Sequence, residues 1–202
     1  MHPVRRRVRY VFDAVLGVVL GTVIALIAGS FILTFATVHY LTIENSWYAL
    51  LSYGQPNEGM LQRAADAYLQ PATNSPEEAV YWWTTKDGDK NDLDGANNYV
   101  IHFPAGQTPP NSAFWSIAMY DTVDRMVPNP IDRYSVSSHS GLVPNADGSV
   151  DIYISNTAPT TGNQENWLPA PTGKFKLCLR IYWPDESVLN GAYQIPPVTE
   201  VN

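Results

Sequence analysis

One feature constrains this chain more than any other: a run of 25 residues, Ala14–Val38, that carries no charged side chain. The run is rich in Val, Leu, Ile, Ala and Gly, and a helix needs only about 20 such residues to cross the hydrocarbon layer of a membrane. A cleaved signal peptide is the alternative, but its apolar core has only about 7–15 residues. The sequence therefore predicts a single, uncleaved transmembrane helix over residues 11–40.

The charges on either side of this run give the helix a direction. Four arginines precede it, Arg5, Arg6, Arg7 and Arg9, whereas residues 43–202 carry 8 basic and 18 acidic side chains. Because basic residues remain on the cytoplasmic side of a membrane, we expect residues 1–10 in the cytoplasm and the remainder of the chain exported. The exported part has no cluster of Lys and Arg, which argues against a nucleic acid as partner.

Small residues recur every four positions within the run, at Gly17, Gly21, Ala25 and Gly29. On a helix they form one ridge, and such a ridge permits close approach of a second helix. The pattern predicts a contact face, for a homo-oligomer or for another membrane helix.

Residues 41–76 are predicted to be a helical juxtamembrane segment and linker. The apolar residues of Met60–Leu69 recur at helical spacing and stop before Pro71, which indicates a short amphipathic helix. Two alternatives remain for the aromatic residues around it, either at headgroup depth or within a first amphipathic helix. These residues are Tyr40, Trp47, Tyr48 and Tyr53.

Residues 77–202 have the pattern of a mainly β domain. Runs rich in Val, Ile, Tyr, Trp and Phe are separated by Gly, Pro, Asn and Asp clusters, and they are Glu78–Thr85, Asn98–Pro104, Ala113–Asp121, Val150–Ser155 and Lys174–Trp183. The dipeptide Asp147-Gly148 predicts a type I′ hairpin turn between Leu142-Val143 and Val150. Together these features predict an antiparallel β-sandwich or jelly-roll-like domain.

Cys178 is the only cysteine in the chain, so we expect no intramolecular disulfide and no cysteine-based metal site. The acidic segment Asp87–Asn98 resembles a calcium loop in its first positions. It lacks the Gly and Glu that such a loop needs at positions six and twelve. We expect no metal and no cofactor.

An ordered series of motifs is similar to the bacterial family called domain of unknown function 1214. The motifs are Leu93-Asp94-Gly95, Pro109-Pro110, Phe114-Trp115-Ser116, Asn129-Pro130-Ile131, Asp147-Gly148-Ser149, Asn166-Trp167-Leu168-Pro169 and Leu179-Arg180-Ile181-Tyr182-Trp183-Pro184. The resemblance implies a β-rich domain in a bacterial protein. Combined with the predicted anchor and its direction, this gives an expected location at the bacterial inner membrane, with the domain facing the periplasm. Longer relatives carry a companion, domain of unknown function 1254, before it. The resemblance therefore implies a separate companion chain as a partner, because an apolar helix occupies that place here.

Four residues are candidates for ligand binding: Asn166, Trp167, Tyr182 and Trp115. Asn166 and Trp167 lie in a long Pro-rich loop, 156–173, and such loops are often functional; a loop pinned to the core by its tryptophan is the alternative. Tyr182 alternates with core positions on the last strand.

Arg180 has two interpretations. Its planar fork is suited to clamp a carboxylate or phosphate, but it is equally suited to pair with Asp121 or Glu78 within the domain.

No recognisable catalytic motif is present, neither G-x-S-x-G nor H-E-x-x-H. A binding or assembly module is therefore the leading interpretation. A hydrolase that acts with the companion chain is one alternative, with Asp121, His102 and Arg180 as the first residues to test. Carbohydrate binding is another, because all six tryptophans lie beyond the anchor.

Overall fold

The computed structural model describes residues 3–69, 74–160 and 164–201. Its helices are α1 (Pro3–Tyr40), α2 (Met60–Leu69) and α3 (Glu186–Leu189), and a short 3-10 helix covers Gln164–Asn166. Its strands are β1 (Thr42–Glu44), β2 (Trp47–Ala49), β3 (Ala79–Thr84), β4 (Asn98–Phe103), β5 (Asn111–Tyr120), β6 (Ser135–Ser137), β7 (Val150–Ser155), β8 (Trp167–Pro169), β9 (Lys176–Pro184) and β10 (Val198–Val201).

The chain divides into two compact units, and the first consists of Met1–Tyr40 and Gly59–Pro71. Within it, the segment Arg9–Tyr40 of α1 is long and apolar enough to cross a membrane. The predicted helix Met60–Leu69 is confirmed as α2. Part of the predicted linker after α2, residues 70–73, lies outside the described residues.

The small-residue ridge lies along α1, and its members are exposed. A Cβ atom added at Gly17, Gly21 or Gly29 would meet no other atom within 4 Å. Helix association through the ridge stays a prediction.

The second unit, Leu41–Glu58 with Ala72–Asn202, contains two β-sheets. A six-stranded sheet has the order β1-β2-β3-β9-β5-β6, and a four-stranded sheet has the order β10-β4-β7-β8. All strand pairs are antiparallel except β7 and β8, which are parallel. Buried residues of both sheets form one hydrophobic core, in which Phe103 and Trp115 have ring centroids 5.3 Å apart. The mainly β fold is thus confirmed.

The β unit begins earlier than the predicted boundary at residue 77. Asn45 and Ser46 have φ of 47° and 68°, so they form a two-residue turn that joins β1 to β2 and adds both strands to the six-stranded sheet. Because each strand has only three residues, neither is long enough to produce a recognisable alternation. The prediction that residues 41–76 are helical is therefore wrong around this hairpin.

Two of the aromatic residues assigned to the membrane surface are instead buried in the β unit. Trp47 is fully buried and its indole Nε1–H donates to the carbonyl of Pro196 at 3.0 Å. The Tyr53 hydroxyl donates to the carbonyl of Ala79 at 2.7 Å. Both alternatives from the sequence, headgroup depth and a first amphipathic helix, are therefore corrected for these two residues.

The turn at Asp147-Gly148 exists but differs from the predicted hairpin. Asn145 accepts a hydrogen bond from the Gly148 N–H at 2.9 Å, and only Gly148 of the pair has positive φ, so the turn is not type I′. Leu142-Val143 does not form a strand. Instead, the side chain of Asn166 bonds both the N–H and the carbonyl of Val143.

Candidate functional site

The two faces of β9 differ in chemistry, as its alternation predicts. On one face Leu177, Leu179 and Ile181 are buried in the core between the sheets, together with Phe175 directly before the strand. The opposite side chains belong to Lys176, Cys178, Arg180 and Tyr182. This second face is the most distinctive surface of the β unit.

Strand register extends this surface across four strands. Residues directly opposite each other project on the same side of a sheet, and Arg180 lies opposite Tyr81 of β3 and Ser116 of β5. We call the resulting surface the aromatic face. Its members are Tyr48, Tyr81, Trp83, Phe114, Tyr120, Lys176, Arg180 and Tyr182.

Large rings surround a floor of small side chains on the aromatic face. Trp83 and Tyr120 have ring centroids 5.2 Å apart, and Phe114 stacks on Tyr182 at 4.4 Å. The floor between them is formed by Ala118 and Cys178, which are fully buried. The rings therefore frame a half-buried surface instead of closing over it.

Two cations stand among these rings, and Arg180 is the more unusual. Its guanidinium carbon lies 5.5 Å from the ring centroid of Tyr120, and its Nη2 donates to the hydroxyl of the same residue. No ion pair between described residues involves Arg180, so the predicted pairing with Asp121 or Glu78 is corrected. The guanidinium instead reaches along the strand to Tyr120, whose hydroxyl takes the place of a carboxylate as its hydrogen-bond acceptor.

Lys176 is the second cation of the aromatic face. Its ammonium lies 5.5 Å from the ring centroid of Trp83 and pairs with the carboxylate of Asp124. Lys176 is therefore already partly neutralised, whereas Arg180 keeps its charge and most of its donors available.

The thiol of Cys178 lies beneath the two cations but is not activated by them. Burial raises its pKa to about 12, and the neighbouring charges of Arg180 and Lys176 offset this only in part. A thiol with such a pKa is not a nucleophile at neutral pH. Its role is packing, since the side chain is fully buried.

The other residues proposed for catalysis lie apart from the aromatic face or serve local structure. Asp121 is a half-buried turn residue whose Oδ1 accepts the N–H groups of Val123 at 2.9 Å and Arg125 at 2.8 Å. The Arg125 and Val123 hydrogen bonds lower the pKa of Asp121. His102 lies on β4 of the other sheet, where its Nδ1 is 2.6 Å from the Asp151 carboxylate. Asp121, His102 and Arg180 therefore do not form one catalytic set.

Three of the four residues proposed for ligand binding are buried. Trp115 packs in the core, and Trp167 donates its indole N–H to the carbonyl of Ser155 at 3.1 Å. Asn166 is 1% exposed and makes three hydrogen bonds to backbone groups. The interpretation of this loop as part of a ligand site is therefore corrected at Asn166 and Trp167. Both side chains instead attach the loop to the core. Residues 161–163 of this loop lie outside the described residues.

Tyr182 is the proposed ligand contact that does lie on the aromatic face. No local sequence pattern singles out its neighbours there, which are Trp83, Phe114 and Tyr120. Each occupies an alternate position in a predicted strand, but only the pairing of β3 and β5 with β9 places them beside Arg180.

Among the residues that the structure describes, no three His, Cys, Asp or Glu side chains are grouped as a metal site would require. In the calcium-like segment the buried carboxylate of Asp87 bonds within the segment, where it accepts the backbone N–H of Asn91 at 2.8 Å. Asp92 is paired with Lys174 and Lys86.

Comparison with known proteins places this fold in a family. A family model described as "Protein of unknown function (DUF1214)" matches residues 78–186. The crystal structure of the VPA0106 protein from Vibrio parahaemolyticus is similar, with 30% identity and a TM-score of 0.63 over 72% of this chain and 36% of that one. A putative uncharacterized protein from Burkholderia cenocepacia has 20% identity and a TM-score of 0.47 over 68% of this chain and 34% of that one. This chain thus spans about a third of the length of either protein, and no curated protein matches it.

Proposed function

We propose that this chain, which belongs to the DUF1214 family of proteins of unknown function, is a membrane-anchored binding module whose aromatic face receives an anionic, ring-bearing ligand. The observation that carries the proposal is Arg180, a half-buried guanidinium without a carboxylate partner among the described residues.

Partial burial of a charge is costly unless the charge is paired. Tyr120 accepts one hydrogen bond from Arg180 and offers its ring, but a neutral hydroxyl does not neutralise the guanidinium. Guanidinium donors form a planar fork that matches a carboxylate or a phosphate with two parallel hydrogen bonds. An anion bound at this point would supply the missing countercharge.

The surrounding rings favour a ligand that also carries a flat apolar surface. Arg180 lies between two pairs of rings. The stack of Phe114 on Tyr182 is on one side, and the pair Trp83–Tyr120 is on the other. Aromatic faces contact aromatic ligand rings and the C–H faces of sugars equally well. Aromatic acids and acidic sugars both satisfy this requirement, and they are separated by experiment.

The apolar helix α1 also supports a proposal for where the β unit is located in the cell. We propose that α1 crosses the bacterial inner membrane with residues 1–10 in the cytoplasm and the β unit in the periplasm, because four arginines precede the apolar segment. An alkaline phosphatase reporter fused at the C-terminus should be active, and the same reporter should be inactive if the orientation is reversed. A companion chain related to domain of unknown function 1254 remains a proposed partner, testable by co-purification of the two expressed together.

The binding proposal is tested with the full chain in octaethylene glycol monododecyl ether, a detergent that carries neither charge nor sugar. Calorimetric titrations use three probes: trigalacturonate, benzoate and phenyl phosphate. We expect at least one probe to bind and Arg180→Gln to weaken that binding about 10- to 100-fold, since hydrogen bonds to charged groups contribute about 1.5–3 kcal/mol.

Two further variants sharpen this result. Arg125→Gln removes an equal charge from an exposed loop arginine and should leave binding within about twofold. Tyr182→Leu keeps an apolar side chain but removes the stacked ring, and it should weaken binding without preventing it. The proposal fails if no probe binds or if Arg180→Gln and Arg125→Gln bind equally well.

A further inference from the structure

A second concave surface of the β unit lies next to β4 and β10. It is a groove of about 390 Å³, within the size range of small-molecule sites. Its lining residues come from three separate parts of the chain: the β1–β2 turn, the end of β4 with the segment after it, and the segment before β10 with the start of that strand. They are Asn45, His102, Pro104, Gln107, Gln194, Ile195, Pro196, Pro197 and Thr199.

Hydrogen bonds between distant residues hold these three segments together. The Asn45 amide donates to the carbonyl of Ile195 at 2.7 Å, and the Ile195 N–H donates to the Glu44 carboxylate at 2.9 Å. The hydroxyl of Tyr193 donates to the carbonyl of Gln107 at 3.2 Å. The walls of the groove are therefore formed before any ligand arrives, which lowers the entropic cost of binding.

His102 is held in one orientation at the groove. Its Nδ1 lies 2.6 Å from one carboxylate oxygen of Asp151, and the other oxygen accepts from the Asn145 amide at 2.9 Å. An imidazole bonded at Nδ1 to a carboxylate has its tautomer fixed, so Nε2 is the ring nitrogen left to meet a ligand.

The lining residues select a ligand class. None of them is Lys, Arg, Asp or Glu, and the one titratable lining residue, His102, is already bonded to the carboxylate of Asp151, so the lining offers no unpaired charge to an anion or a cation. Each glutamine amide offers both donors and an acceptor, and an entirely apolar ligand would leave these groups unbonded. Proline rings supply the apolar walls. This combination suits a neutral ligand with several hydroxyl groups, because each hydroxyl both donates and accepts.

An extended peptide is the main competing ligand, and the edge of β10 argues against it. Such a peptide would add to the free edge of the strand next to the groove. At that edge the carbonyl of Val198 already accepts the N–H of Gly88 at 2.8 Å. This hydrogen-bonding position is therefore not open to an added peptide strand.

We propose that this groove is a second binding site, distinct from the aromatic face, for an uncharged sugar. His102 contributes Nε2, and Gln107 and Gln194 contribute their amides.

The test uses the full chain in the same sugar-free detergent with three neutral tetrasaccharides: chitotetraose, maltotetraose and cellotetraose. We expect at least one to bind in calorimetric titrations. His102→Ala and Gln194→Ala should each weaken it about 3- to 10-fold, the loss of a neutral hydrogen bond. The matched control is Gln164→Ala, an exposed glutamine outside the groove, which should not change binding.

Three results would overturn the inference: no tetrasaccharide binds, the groove variants bind as tightly as Gln164→Ala, or tetra-alanine amide binds more tightly than every sugar. Arg180→Gln should leave sugar binding intact, so this site and the aromatic face succeed or fail separately. Unchanged urea midpoints for the groove variants exclude unfolding as the cause of any loss.

Discussion

Asn166 is a demanding test of the structure, because the sequence presents it as a ligand contact and the structure places it in the core. Its side-chain amide donates to the carbonyls of Val143 at 2.9 Å and Asp151 at 2.8 Å, and its oxygen accepts the Val143 N–H at 2.8 Å. One side chain thereby joins β7 and the start of β8 to the segment before the Asn145 turn.

Replacing Asn166 by Ala removes all three hydrogen bonds. Each contributes about 1 kcal/mol, so we expect the free energy of unfolding to fall by about 3 kcal/mol. Asn166→Asp keeps the acceptor but loses both donors and places a charge near two carbonyls, so its loss should be at least about 2 kcal/mol. Asn156→Ala is the matched control, because the hydrogen bond of that exposed asparagine to another described residue goes to the carbonyl of Ala170 at 2.9 Å.

The assay is urea unfolding of the full chain in a non-ionic detergent, followed by tryptophan fluorescence, with midpoint and slope both fitted. The order of stability should be wild type, Asn156→Ala, then the two Asn166 variants. A change below about 1 kcal/mol for Asn166→Ala, or an Asn166→Asp variant as stable as wild type, would refute the assignment of Asn166 to the core. It would return this residue to the set of candidate ligand contacts.

Three further predictions concern single positions. A Cβ at Gly95 would lie 1.6 Å from the carbonyl oxygen of Pro171, so Gly95→Ala should lower the free energy of unfolding by about 3 kcal/mol or more, and the urea midpoint with it. Gly173→Ala meets no atom within 4 Å and should leave the midpoint nearly unchanged. Hydrogen bonds from two lysines lower the pKa of Asp92 from 3.8 to about 2, so its stabilising contribution is complete above pH 3.8 and lost as pH falls toward 2. Urea midpoints of wild type and Asp92→Asn should therefore differ at pH 5 and converge near pH 2. Because burial raises the pKa of the Cys178 thiol to about 12, a thiol reagent at pH 8 should react only after urea is added.

Sequence patterns identify the long elements of this fold and fail on the short ones. Alternation over β9 separates core from opposite face correctly because nine residues give several periods of the pattern. Strands β1 and β2 have three residues each, which is too few for any period. Their one local signal is the turn Asn45-Ser46, in which serine is an uncommon residue for positive φ.

Candidate sites were less predictable than strands, and register is the reason. Arg180 and Tyr182 are recognisable from the sequence because they lie two residues apart on one strand. Trp83 and Phe114 join them only because β3 and β5 flank β9 in a particular register, and no local pattern specifies that register. The reverse error occurred at Asn166, where an amide beside a tryptophan in a long loop looked exposed. Its three hydrogen-bond partners lie up to 23 residues away in the chain.

The two faces of the six-stranded sheet differ in what their side chains contribute, because one face forms the core and the other carries the proposed site. The core face is filled with aliphatic and aromatic side chains that need no further partner. On the other face, a hydrophobic side chain in place of Arg180 would cover Cys178 and Ala118 without the cost of desolvating a guanidinium, and such replacements are often neutral or stabilising. No carboxylate in the described part of the domain offsets that cost. A half-buried charge that has no countercharge among the described residues of its own domain is most simply explained by an interaction with something outside that domain, and this argues for an anionic ligand at the aromatic face.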